Sequence, residues 1–168
     1  MIRQAKEKDI SRIAEILIFT KRMTYRPIFR DDKVSFGEMQ VLPLAEEYRK
    51  HPERLDHIWV YEEEFVKGLI TLQVGKDEGV KVLGIQELYV DVFFHNEGIG
   101  KKLIAFAERM AEEQGMEELS LWVLEKNEHA RVFYEKNGFH VTLEREIQEG
   151  TEEVLRKYRK RLEDQLKD

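Results

Sequence analysis

The run Glu87 to Lys102, ELYVDVFFHNEGIGKK, holds the residues best suited to chemistry. Its first half reads as a strand, and a short polar turn then delivers Gly98 and Gly100 to the start of an amphipathic helix. The first N–H groups of a helix have no internal acceptor and lie at the positive end of its dipole. Glycines leave those groups uncovered, so strand, glycine turn and helix start together form a cradle for an anion, phosphate above all. A dinucleotide fingerprint would need a third glycine where Leu103 stands, and Lys101-Lys102-Leu103 replaces the Lys-Ser/Thr ending of a P-loop. A nucleotide-binding α/β domain is therefore poorly supported. His51, His57, His129 and His140 are scattered without metal-ligand spacing, so no metal is expected. No Ser-His-Asp arrangement can be read.

The bulk properties set the context for this turn. At 168 residues the chain suits a single domain, 1–168, with a real core. Hydrophobic residues at 42% and charged residues at 37% describe a globular protein with a heavily charged surface. Lys+Arg 28 against Asp+Glu 34 gives a net charge of −6, which argues against nucleic acid as a partner. The absence of cysteine excludes disulfides, thiolate metal sites and a cysteine acyl-enzyme. The opening MIRQAKEKDISRI lacks an apolar signal core, and no stretch approaches the ~20 apolar residues of a membrane span. The expectation is a cytoplasmic protein with no membrane partner.

Hydrophobic periodicity supplies the elements that must position the turn. Ile2 to Ala5 reads as a strand, and Asp9 precedes a helix carrying Ile10, Ile13, Ala14, Leu17 and Ile18. Lys21 to Gly37, with Pro27, reads as a loop or broken helix, and Glu38 to Lys50 as a helix bent near Pro43. Ile58 to Tyr61 and Phe65 to Val74 read as strands joined by Glu62-Glu63-Glu64, and Gly79 to Val92 as a longer strand. Gly98 to Gln114 is the clearest helix, ended by Gly115. A strand from Leu119 to Leu124, a helix capped by Asn127 and a strand from Phe139 to Ile147 follow. In the tail, Val154, Tyr158, Leu162 and Leu166 suit a helix, whereas the alternation from Val154 to Lys160 permits an edge strand. The basic run Arg156 to Arg161 reads as a solvated face. The mixture of helices and antiparallel hairpins is α+β with a central mixed sheet.

A second block, LWVLEKNEHARVFYEKNGFHV, combines a buried strand, an Asn cap, a short helix and Gly138-Phe139 opening the next strand. Together the two blocks resemble the GNAT superfamily of N-acetyltransferases. The family pattern V-x-P-x-x-Q/R-G-x-G-x-G/A is met approximately from Val90 to Gly100. The pattern N-x-x-A-x-x-F/L-Y-x-K-x-G-F is met by Asn127, Ala130, Phe133, Tyr134, Lys136, Gly138 and Phe139. The resemblance covers nearly the whole chain. His95 stands where Gln or Arg is usual, Asn96 where Gly is common and Val92 where Pro is common, and Glu97 adds a negative charge beside the cradle. Backbone donors are untouched by these departures, and Asn tolerates a left-handed backbone.

The resemblance implies an α/β three-layer sandwich. Its sheet would be mixed and mostly antiparallel, of about seven strands with about four helices, splayed between the fourth and fifth strands. It also implies acetyl-CoA as co-substrate and a small-molecule or peptide amine as acceptor, with a homodimer common in the family. The pyrophosphate would lie on His95, Asn96, Glu97, Gly98, Ile99, Gly100 and Lys101. The pantetheine arm would run along Leu88, Tyr89 and Val90, with Asn127, Tyr134 and Lys136 as further cofactor contacts. Tyr134 is the implied general acid for the departing thiolate, and Glu87 the candidate general base. Tyr25 and Phe29, in the segment with Arg26, Arg30 and Phe36, would line the acceptor site with Glu87. A non-catalytic acyl-CoA-binding or sensing module on the same fold is the alternative.

Overall fold

The computed structural model describes residues 1–163. A seven-stranded sheet has the order β1-β2-β3-β4-β5-β7-β6, from β1 (Ile2–Gln4), β2 (Ile58–Glu63), β3 (Phe65–Asp77), β4 (Val80–Val90), β5 (Glu118–Leu124), β6 (His140–Ile147) and β7 (Val154–Arg161). The α-helices are α1 (Ile10–Phe29), α2 (Val41–Lys50), α3 (Ile99–Glu113) and α4 (Glu128–Lys136). The sheet is mixed: β4 and β5 run parallel, while β1–β2, β2–β3, β5–β7 and β6–β7 are antiparallel. Parallel pairing joins Val82–Ile85 to Glu118–Leu121 and then stops, although β4 continues to Val90 and β5 to Leu124. That early stop is the splay between the fourth and fifth strands. No helix among the described residues is long and apolar enough to cross a membrane.

By contacts the chain forms two compact units. The first comprises residues 1–71 and 87–103. Its core is made by one face of α1 (Ile10, Ile13, Ala14 and Leu17) with Ala45 and Tyr48 of α2 and Ile58, Val60 and Leu69 of the sheet. Each buried Ile, Leu or Val among these contributes about 1.5–3 kcal/mol of transfer free energy. Arg3 ties this unit at its edge by binding both oxygens of Asp9 and one of Glu62.

Here α1 is longer than its sequence suggests. It runs through Pro27 to Phe29 and ends where Arg30 turns left-handed at φ 53°, its N–H bonded to the Arg26 carbonyl. Proline in the last turn removes only the donor that would reach Met23, which is exposed to water. Lys33–Glu38 then form a wide helical turn, held by Arg22 donating to the Ser35 and Met39 carbonyls. This segment is therefore not an open loop. Pro43 is the third residue of α2, inside the first turn, where N–H groups lack partners in any case, so no bend is required.

The second unit comprises residues 72–86 and 104–168, of which those to 163 are described. The tail is a strand: β7 pairs with β5 from Leu124↔Leu155 to Glu118↔Arg161 and with β6 on its other side. It is interior rather than an edge, because β5 pairs with one side of it and β6 with the other. Leu166, the last residue of the helical alternative, lies outside the described residues. Nor is the basic run simply a solvated face. Lys157 and Arg159 pair with Asp77 and Glu144, Arg156 with Glu125 and Lys160 with Glu108. Arg161 alone of these is largely exposed, at 88%.

Candidate active site

The cradle is built by a turn that closes on itself. At the end of β4, the Asp91 N–H donates to the Lys67 carbonyl. Its carboxylate accepts from the Phe93 N–H at 3.0 Å and from Arg12 Nη2 at 2.9 Å. Arg12 also donates to the Val66 carbonyl, so α1, β3 and the turn meet at one guanidinium. Burial works against the charge of Arg12, yet its bonds to Glu15 and Asp91 hold its pKa above the ordinary value. One helical turn, Val92–Phe94, follows, and then the left-handed residues Asn96 at φ 65° and Gly98 at φ 78°.

The first intrahelical bond of α3 runs from the Lys102 N–H to the Gly98 carbonyl. The N–H groups of Ile99, Gly100 and Lys101 precede it and have no acceptor inside the helix. Ile99 is buried and anchors the helix start, while Asn96, Glu97, Gly98 and Lys101 are exposed. A Cβ at Gly98 would meet nothing within 4 Å; its glycine serves the backbone angle. Gly68 has the other role. A Cβ there would lie 3.2 Å from the Tyr89 carbonyl and from Ile99, so this glycine lets β3 approach both.

His95 reaches back from the turn to β4. Its Nε2 lies 2.8 Å from the Val90 carbonyl, and against a carbonyl that nitrogen must donate. The ring therefore fastens the turn to β4.

Upstream on β4 the side chains form a polar cluster. Glu87 accepts from Thr71 Oγ1 at 3.4 Å and pairs with Lys21 Nζ at 3.5 Å. Tyr89 lies two residues on, on the same side of the strand, and its hydroxyl is 2.9 Å from that of Tyr25. Lys21, Tyr25 and Phe29 recur every four residues along α1, so one helix face supplies all three. The Tyr25 and Phe29 rings are 5.5 Å apart. Burial, with the Glu87 charge, pushes the Tyr25 phenol up, against the Tyr89 hydrogen bond. Burial and Glu87 push the buried Tyr48 to about 12. Tyr25 and Phe29 thus come from a helix rather than a loop, and Glu87 from β4. Arg26 does not join them: it pairs with Asp32 and its guanidinium covers Phe36.

In the second unit the Asn127 side chain caps α4 by accepting from the Ala130 N–H at 3.2 Å. Tyr134 is buried, with its ring edge-on to Phe133 and Phe139 at 5.2 and 5.6 Å. Lys136 is exposed. Arg131 and Glu135 of α4 converge on one fully buried phenol: Arg131 Nε donates to the Tyr158 hydroxyl at 2.9 Å, and that hydroxyl donates to Glu135 at 3.0 Å. Sequence reasoning passed over Arg12, Asp91, Lys21, Thr71 and Tyr158. The only available signal was Tyr158, a lone aromatic inside a basic strand.

Residues 22–139 match the sequence model of the acetyltransferase (GNAT) family. The chain belongs to that family. Solved structures agree on the fold of this GNAT protein. The PaiA N-acetyltransferase of Thermoplasma acidophilum, solved with coenzyme A, is similar at TM-score 0.70 and 22% identity over 96% of this chain and 98% of its own. YjaB of Escherichia coli, in its apo form, aligns at TM-score 0.68 and 25% identity over 95% of each chain. A ribosomal-protein-alanine N-acetyltransferase of Brucella melitensis aligns at 0.70 and 20% identity over 96% and 99%. The mixed sheet, parallel β4–β5 pair and splay of this chain are the GNAT fold.

Proposed function

We propose that the protein transfers the acetyl group of acetyl-CoA to a primary amine. The observation that carries this reading is the run of N–H groups at Ile99, Gly100 and Lys101, opened by left-handed Asn96 and Gly98 at the end of β4. A phosphate-sized anion suits that arrangement, and the Thermoplasma acidophilum relative is a coenzyme A complex. The pyrophosphate is assigned to His95–Lys101, with backbone groups supplying the contacts, and the pantetheine arm to Leu88, Tyr89 and Val90. Asn127 and Lys136 are proposed as further contacts to the cofactor.

In the reaction, the neutral amine attacks the thioester carbonyl carbon. A new C–N bond forms, the C–S bond breaks, the amine proton passes to Glu87 directly or through water, and Tyr134 returns a proton to the departing thiolate. Un-ionised phenol is the ordinary state of tyrosine at neutral pH, since its pKa is about 10. Glu87 is suited to its part because Thr71 and Lys21 hold it in place and Tyr25 lies on the Lys21 face of α1.

Calorimetry with CoA, followed by acetyl-CoA turnover over an amine panel, tests the proposal. Stoichiometric binding, a raised Tm and amine-dependent thiol release are expected. No heat at millimolar CoA would remove the reading, and binding without turnover on any amine would leave an acyl-CoA sensor.

A further inference from the structure

The Glu87 cluster contains a cation that acetyl transfer itself does not require. Lys21 Nζ lies 3.5 Å from Glu87 Oε2 and 5.9 Å from the centroid of the Tyr89 ring. Its neighbours on α1 are committed elsewhere. Arg22 donates to two backbone carbonyls, and Arg26 holds Asp32 with two bonds. Lys21 has no comparable saturation: an ammonium carries three donors, its side chain is 30% exposed, and Glu87 engages it at long range. The Tyr25 hydroxyl is in the same group, kept protonated by burial and by the Glu87 charge.

The charge balance discriminates between acceptors. Lys21 neutralises Glu87, so the cluster offers no spare carboxylate to a polycation. A cationic acceptor would have to displace Lys21 from Glu87 and leave it unpaired. An acceptor bringing its own carboxylate has the opposite effect: that group adds to Lys21, while its amine, which reacts as the free base, meets Glu87. We infer that the acceptor is an amine carrying a carboxylate within a few atoms of its nitrogen, with Lys21 as the counter-cation. This rests on the acetyl-transfer reading of the same site.

Matched pairs test it: phenylalanine against phenethylamine, leucine against isopentylamine and lysine against cadaverine. For wild type, kcat/KM should favour the amino acid of each pair by about tenfold or more, as expected for one charge-assisted hydrogen bond. Lys21→Gln should bring the ratio to within about twofold, and Lys21→Arg should keep most of it. Saturation-transfer NMR on the CoA-loaded protein reads the same pairs for binding, which decides the acceptor class even where nothing is turned over. A preference for the decarboxylated amines, no preference, or a ratio unchanged in Lys21→Gln overturns the inference. Failure of CoA to bind would instead bring down the acetyl-transfer reading. CoA binding with turnover indifferent to the carboxylate removes only the acceptor class.

Discussion

The cradle at Asn96–Lys101 and the cluster around Glu87 lie in the same unit, a few residues apart along the chain, yet they are built in opposite ways. The cradle is backbone: two left-handed residues and the open end of α3. Its side chains are mostly exposed. The cluster is side chains brought from α1, β3 and β4, with Tyr25 and Tyr89 meeting across 64 positions of sequence. A backbone site tolerates changes in residue type as long as the angles survive. A side-chain site changes its chemistry with a single substitution. In the proposed reaction, holding a phosphate would rest on the first and selection of the acceptor on the second.

The largest effects should come from the side chains proposed to handle protons. Tyr134→Phe should lower kcat by about a hundredfold, the lower end of the usual range for a positioned acid. Glu87→Gln should lower it by about tenfold to a hundredfold, since the amide keeps the shape but cannot take the proton and leaves Lys21 uncompensated. In both, the Kd for CoA should stay within about twofold. Steady-state kinetics alongside calorimetry reads the two quantities separately. An unchanged kcat in Tyr134→Phe rejects it as the acid. A large loss of CoA affinity in Glu87→Gln would break the separation of the two regions.

What was legible from sequence follows the same division. The cradle could be read because its determinants are contiguous, as could the Asn127 cap and the Gly115 helix end. The cluster was only half legible. Glu87 and Tyr89 share a strand face by alternation, but Lys21 and Thr71 reach Glu87 through folding alone. Tyr25 and Phe29 were placed in a loop or broken helix, because Pro27 reads as a helix breaker and only its position in the last turn makes it harmless. The β7 strand was ambiguous because its apolar residues fit a helical period as well as an alternating one, and its charges look solvated until Asp77, Glu108, Glu125 and Glu144 are placed beside them. For His95 the sequence shows a ring able to donate but not its partner, and folding brings its Nε2 to the Val90 carbonyl.

A smaller effect is expected from the cradle's backbone. In Gly98→Ala the added methyl meets no atom, so any cost is that of holding alanine at φ 78°, about 1–2 kcal/mol. Part of it falls on folding and part on the bound state, giving a lower Tm and a CoA Kd raised by up to about tenfold. The kcat at saturating acetyl-CoA should hold. Thermal melts with and without CoA check this, and a fall in kcat at unchanged Kd would contradict the assignment of this turn to binding.

The smallest effect should be that of His95→Ala. The substitution removes the Nε2–H bond to the Val90 carbonyl, an exposed bond worth about 1 kcal/mol or less. Thr20 Oγ1 also lies 3.5 Å from that carbonyl, so the acceptor is not abandoned. With Nε2 turned to β4 as a donor, that nitrogen is not offered to a phosphate oxygen. The Kd for CoA should therefore change by less than about threefold. A tenfold loss measured by calorimetry would mean that the ring leaves Val90 when the pyrophosphate arrives. The cradle would then depend on a side chain, and the contrast with the Glu87 cluster would narrow.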